Sequence, residues 1–235
     1  MKKFIILIGN YGSGKTELAI NFALEAAKTG KTLLIDLDMV NTYFRLNDRK
    51  TMFEELGIRI IAPNFANSGV EMLTVPAEIA MAFDMDWDTV VIDLGGDAGA
   101  AALGQYHNKL EKARTEGAEI FLYDVVNTNR PMAGTPRKLV RLMEEMQFKA
   151  RWKVTGFINN TNMSYETTVE DLESGYEIVK QAAEETELPV LYTSGKKDVL
   201  DAFLQKEHDM KYVGTPFYLD TYMHRDWDTL TKKGV

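Results

Sequence analysis

Residues Gly9, Asn10, Tyr11, Gly12, Ser13, Gly14, Lys15 and Thr16 place glycines, a lysine and a hydroxyl in the spacing G-x-x-x-x-G-K-[ST]. The chemistry such a segment can do is phosphate binding. Glycines let the backbone wrap closely and turn its N–H groups inward, where they cradle a β-phosphate. A helix opening near Lys15 adds the positive end of its dipole. The Lys15 ammonium would neutralise β- and γ-oxygens in the reaction itself, and the Thr16 hydroxyl would face Mg²⁺. With Glu17 in the first helical turn, residues 9–17 read as one nucleotide-binding segment. A second acid-bearing segment is Thr89-Val-Val-Ile-Asp93-Leu-Gly95-Gly96. An aspartate closing an apolar run is the Walker B pattern. Its carboxylate would lie beside the loop and hold Mg²⁺, and the glycines leave space for the next loop to approach a γ-phosphate. A third segment, Leu33-Leu-Ile-Asp36-Leu-Asp38, ends another apolar run with two aspartates.

These segments need a scaffold that brings strand ends together. Continuous apolar runs at 4–8, 32–36, 58–61, 89–93, 119–125, 154–158 and 188–192 read as buried strands. Between them lie helix-period stretches at 16–28, 46–56, 76–83, 100–116, 135–146, 167–186 and 198–205. Gly30 and Gly117 supply stop signals, Thr135-Pro136 a cap and first turn, and Thr167 with Glu170 a capping box. Met52, Phe53, Met143 and Met146 recur at helical spacing and are expected in the core. Unbroken apolar strands alternating with helices predict a three-layer α/β fold: a mostly parallel sheet of about seven strands with helices on both faces. No linker, composition break or repeat divides the chain, so residues 1–235 read as a single nucleotide-binding domain.

LLIDLD, following the loop lysine, resembles the corresponding segment of the MinD/ParA group of P-loop NTPases, the CobQ/CobB/MinD/ParA nucleotide-binding domain. TVVIDLGG is similar to that group's Walker B and switch II region, and Gly156-Phe-Ile-Asn159-Asn160 to its base-contacting strand end. The resemblance covers most of residues 1–200 and implies roles. Asp38 would orient the attacking water, and Asp36 would support Mg²⁺. Asn159 or Asn160 would read adenine through an amide that both donates and accepts. The run INNTN lacks the lysine and aspartate of a typical guanine-reading Asn-Lys-x-Asp, which favours ATP over GTP. Many members of the group place a second lysine just after the first loop glycine, reaching across a dimer; here that residue is Asn10. A nucleotide-dependent homodimer and a monomer therefore both stay open. Arg45 and Arg130 are candidates to supply the missing charge, or else ordinary surface cations.

Composition narrows the classes further. The chain has 235 residues, 45% hydrophobic and 26% charged, with net charge −8. That balance disfavours non-specific binding to a phosphate backbone, so nucleic acid is not expected as a partner. There is no cysteine, which removes thiolate metal sites and cysteine nucleophiles. His107, His208 and His224 show no metal-ligand spacing. No run approaches the roughly 20 apolar residues of a membrane span. Phe4–Ile8 is shorter than the ~7–15 residues of a signal core, so the expected location is cytoplasmic. The leading expectation is a Mg²⁺-ATP-dependent switch, an ATPase acting on an unidentified protein partner or cargo. The alternatives are an ATP-dependent small-molecule kinase or ligase, with an acceptor pocket near Tyr43, Phe44 and Arg45, or a nucleotide sensor with negligible hydrolysis.

Overall fold

The computed structural model describes residues 1–37, 50–62 and 77–222. Eight strands form one sheet: β1 Lys3–Ile8, β2 Thr32–Leu37, β3 Ile58–Ile61, β4 Thr89–Leu94, β5 Glu119–Val126, β6 Gly156–Asn159, β7 Val190–Gly195 and β8 Thr215–Tyr218. Their order is β3-β2-β4-β1-β5-β6-β7-β8, and every pairing is parallel. The helices are α1 Lys15–Ala27, α2 Lys50–Glu55, α3 Ala77–Ala82, α4 Gly96–Gln105, α5 His107–Thr115, α6 Pro136–Ala150, α7 Val169–Thr186, α8 Lys197–Leu204 and α9 Met210–Val213.

The two faces of the sheet bury different sets of side chains. Leu7, Leu34, Val91, Tyr123 and Ile158 pack with Leu18, Phe22 and Ala23 of α1. Ile6, Ile8, Leu33, Ile35, Val90 and Ile92 pack on the opposite face with Leu103 of α4, Leu110 of α5, Leu139 and Met143 of α6, and Val179 of α7. Each Val, Leu, Ile, Phe or Met side chain so taken out of water contributes about 1.5–3 kcal/mol. Both faces being covered explains why the central strands read as unbroken apolar runs rather than alternating ones. Phe53, Met143 and Met146 are buried as expected, and Met52 packs against the core from its edge.

Three details differ from the sequence expectation. The sheet has an eighth strand, Thr215-Pro216-Phe217-Tyr218, paired only with β7 at the sheet edge. A single helix over 100–116 is instead two, α4 and α5, divided at Tyr106, whose ring stacks on Phe83 at 5.2 Å. The capping box of α7 uses Thr168 and Asp171 in place of Thr167 and Glu170. The Thr167 hydroxyl is occupied one turn earlier, accepting from the Met163 N–H and donating to the Ser164 carbonyl.

The strand order has a functional consequence. From β1 the chain runs to β2, β3 and β4 on one side of β1, then crosses to β5 on the other. A crevice opens where the order reverses, beyond the carboxyl end of β1, and ligands of open α/β sheets bind in such crevices. Residues 9–14 leave β1 at that point.

Candidate functional site

Two close approaches fix the loop between β1 and α1. Gly9 has φ +142°, and a Cβ there would stand 2.4 Å from the Val125 carbonyl oxygen of β5. Gly14 has φ +87°, and a Cβ would meet the Asn160 amide nitrogen at 2.3 Å. Neither position admits a side chain, so the glycines are required by backbone sign and by space together. Gly14 is also the N-cap of α1 and offers no side-chain cap. The first N–H groups of the helix are therefore left for a ligand, in the geometry that favours an anion. Within the loop, Asn10 Oδ1 and Ser13 Oγ are buried with no hydrogen-bond partner among the described residues.

The loop carbonyls are held from behind. Asn160 donates through Nδ2 to the Ser13 carbonyl at 2.7 Å, while its Oδ1 accepts from Ser194 Oγ at 2.9 Å. Asn127 Nδ2 reaches the Gly12 carbonyl at 3.4 Å and the Asn162 carbonyl at 2.9 Å. Asn159 Oδ1 accepts from the N–H and hydroxyl of Thr161. Asn159 and Asn160 are both buried. Fixing carbonyls on the outside of a loop leaves its N–H groups for the inside, which is preorganisation of an anion cradle.

Lys15 is buried, and its ammonium donates to the Gly9 and Asn10 carbonyls at 3.0 and 2.9 Å. On the α1 side, the Thr16 hydroxyl donates to Asp93 Oδ2 at 2.6 Å. Asp36 and Asp93 are register partners on β2 and β4, and both are buried. A hydroxyl and two neighbouring carboxylates are hard oxygen donors, the chemistry Mg²⁺ requires. Among the described residues no group of three His, Asp or Glu side chains could hold a metal by itself. The Glu17 carboxylate accepts from the Tyr222 backbone N–H, tying the last described residue to the first turn of α1. Asp38, Tyr43, Phe44 and Arg45 lie outside the described residues, as does His224.

Sequence reasoning missed Asp124. It lies next to Ile8 in the β1–β5 register, on the face opposite Asp93, and is 3% exposed. Burial pushes its carboxyl up from an ordinary 3.8 to about 7, with the Lys15 ammonium pulling the other way. An aspartate interrupting the apolar run of β5 was the available signal. A raised carboxyl pKa contributes stability that is complete below about pH 4 and is lost as pH rises through about 7. Asp124→Asn removes that loss. In urea unfolding from pH 4 to 8, the variant is expected to gain on the wild type with rising pH, by up to about 4 kcal/mol. Parallel pH profiles for the two proteins would refute the assignment.

No protein-family model matches the sequence, and no curated protein is significantly similar to it. Solved structures do share its fold. FtsY from Thermotoga maritima superposes with a TM-score of 0.54 at 19% identity, covering 83% of this chain and 62% of that one. The signal recognition particle receptor FtsY from Elizabethkingia anophelis gives 0.52 at 16%, covering 90% and 64%. FlhF complexed with GTP and Mg²⁺ gives 0.51 at 20%, covering 85% and 68%. The chain thus spans about three fifths of the length of the FtsY structures. The fold is that of the P-loop NTPases. These neighbours do not single out the MinD/ParA group.

Proposed function

We propose that this chain binds Mg²⁺-ATP at residues 9–17 and hydrolyses it, switching its affinity for a protein partner between nucleotide states. The observation that carries the reading is the 2.6 Å bond from Thr16 to Asp93 beside the uncapped start of α1. It joins the hydroxyl and the carboxylate that a Mg²⁺–phosphate complex needs, at the crevice where this fold binds ligands. Thr16, Asp36 and Asp93 would hold Mg²⁺, which would supply positive charge against the phosphates. The chain's own part is to hold the phosphates on loop N–H groups, to place Lys15 on them, and to keep Thr16 and Asp93 in register.

The choice of ATP rests on the chemistry after β6. Guanine presents adjacent N–H donors that a carboxylate accepts as a pair. The segment Asn160-Thr161-Asn162-Met163 holds no carboxylate, and with the Asn160 amide spent on Ser13 and Ser194 and the Thr161 hydroxyl on Asn159, its half-buried amide is that of Asn162. The mixed donor and acceptor edge of adenine suits that supply better. The neighbour bound to GTP and Mg²⁺ supports a Mg²⁺-nucleotide site while leaving the base open.

Hydrolysis is assigned to water positioned by Asp38, as the sequence resemblance implies. Asp38→Asn should bind ATP as the wild type does and turn it over about 10²–10⁴ times more slowly. Steady-state phosphate release with ATP and with GTP checks both points. Wild-type turnover by the variant would remove Asp38 from the mechanism, and a preference for GTP would overturn the base assignment.

A further inference from the structure

We infer that Arg130 is a phosphate-reading residue, supplied by the chain itself, that distinguishes a nucleoside triphosphate from a diphosphate. The inference rests on the reading of residues 9–17 as a nucleotide site. Arg130 sits in the turn between β5 and α6, held by Arg130 N–H to the Asn127 carbonyl at 3.1 Å and Ala133 N–H to the Arg130 carbonyl at 2.9 Å. Its Nε donates to the Gly12 carbonyl at 3.0 Å. The guanidinium lies directly over Gly12: a Cβ on that glycine would stand 3.0 Å from Nε, 3.3 Å from Cζ and 3.5 Å from Nη2. An arginine is thus pinned by one N–H to the apex of the phosphate loop, while among the described residues no hydrogen bond uses its Nη groups.

Its electrostatic setting is also that of a group awaiting an anion. No described carboxylate forms an ion pair with Arg130, and the acid that borders the same cleft, Asp97, pairs with Lys149 at 2.7 Å. That cleft, of about 590 Å³, is bordered by Asn10 and Gly12 of the loop, by Gly96 after the Asp93 strand, and by Arg130. Gly96 lies three residues after Asp93, the acid that the nucleotide reading places at the metal, so the cleft adjoins the metal end of that site. Arg130 therefore shares a space with the end of the nucleotide that hydrolysis removes. A planar guanidinium with unused N–H groups suits the γ-phosphate oxygens, and it loses that contact when the γ-phosphate leaves. The bond from Nε to a loop carbonyl is what sets Arg130 apart from a surface cation that is merely solvated or paired with an acid.

The test is calorimetric titration of the wild type, Arg130→Ala and Arg130→Lys with Mg²⁺-ADP and with a non-hydrolysable Mg²⁺-ATP analogue. Arg130→Ala should weaken the triphosphate analogue by about 10–100-fold, the range for losing a charged hydrogen-bonding partner. ADP affinity should change less than about threefold, and Arg130→Lys, keeping charge without the fork, should fall between. Melting of each empty variant near the wild-type temperature confirms that the loop still folds. Equal weakening of ADP and of the analogue would make Arg130 a brace for the Gly12 carbonyl and overturn the inference, as would no change for either. Failure of the wild type to bind either nucleotide would overturn the underlying site reading, and that outcome is visible before any variant is compared.

Discussion

Lys15→Ala is expected to yield a folded protein that gains no stability from nucleotide. In the wild type, Mg²⁺-ATP at about 100 times its dissociation constant should add about 2.7 kcal/mol, because ligand bound only to the folded state stabilises by mass action. For a chain of this size that corresponds to a rise of roughly 5–10 °C in melting temperature. Lys15 is the cation at the centre of the loop, 3.0 and 2.9 Å from the Gly9 and Asn10 carbonyls. Those contacts can be exchanged for phosphate oxygens with little movement of the backbone. Alanine leaves the triphosphate charge facing a loop of neutral N–H groups. It also removes the cation that opposes the upward shift of Asp124, so the buried carboxyl should titrate still higher in the variant. Thermal melts with and without Mg²⁺-ATP check the expectation. The same rise in variant and wild type would remove residues 9–17 from the binding site.

Asp93→Asn should separate the needs of the empty protein from those of the metal. Asp36 and Asp93 are opposite one another in the β2–β4 register, both buried. A divalent cation bound beside such a pair would be held by its negative charge. Asparagine keeps the shape and still accepts the Thr16 hydroxyl, now at 2.6 Å from Oδ2. The empty variant should therefore melt near the wild-type temperature. Its Mg²⁺-dependent gain in ATP affinity should fall by about 10–100-fold, and hydrolysis with it. ATP affinity measured with Mg²⁺ and with a chelator gives the comparison. A variant that retains the full Mg²⁺ effect would show that Asp93 only anchors the Thr16 hydroxyl. A variant that melts well below wild type would show that the carboxylate is structural in the empty state.

Much of this site was legible because phosphate chemistry constrains residue type and spacing together. The segment from Gly9 to Thr16 and the aspartate ending β4 are read correctly as neighbours, since a parallel sheet brings the ends of β1 and β4 side by side. The central strands were legible because each is buried on both faces. The edge strand β8 was not: its four residues are exposed or half-buried, and Pro216 interrupts them. A proline is tolerated at an edge, but it erases the apolar run that marks a strand. The choice between Thr167 and Thr168 as cap of α7 was undecidable from spacing, since each is followed three residues later by an acid. Asp124 and Asn127 escaped for another reason. Their importance comes from which strand lies beside β1, and strand order is a property of the whole sheet. Asn159 and Asn160 illustrate the converse. The sequence marks them as polar residues at a strand end, and only the assembled sheet shows that the Asn160 amide braces the Ser13 carbonyl.

The central claim is that a Mg²⁺-nucleoside triphosphate occupies the crevice formed by residues 9–17, Asp36 and Asp93. Calorimetric titration of the unaltered chain with ATP, in Mg²⁺ and again in chelator, tests it most directly. The account predicts saturable binding of one nucleotide per chain, tighter with Mg²⁺ than without. It also predicts competition by ADP and a weaker response to GTP. The absence of binding heat and of any melting shift with either ATP or GTP in the presence of Mg²⁺ would contradict it.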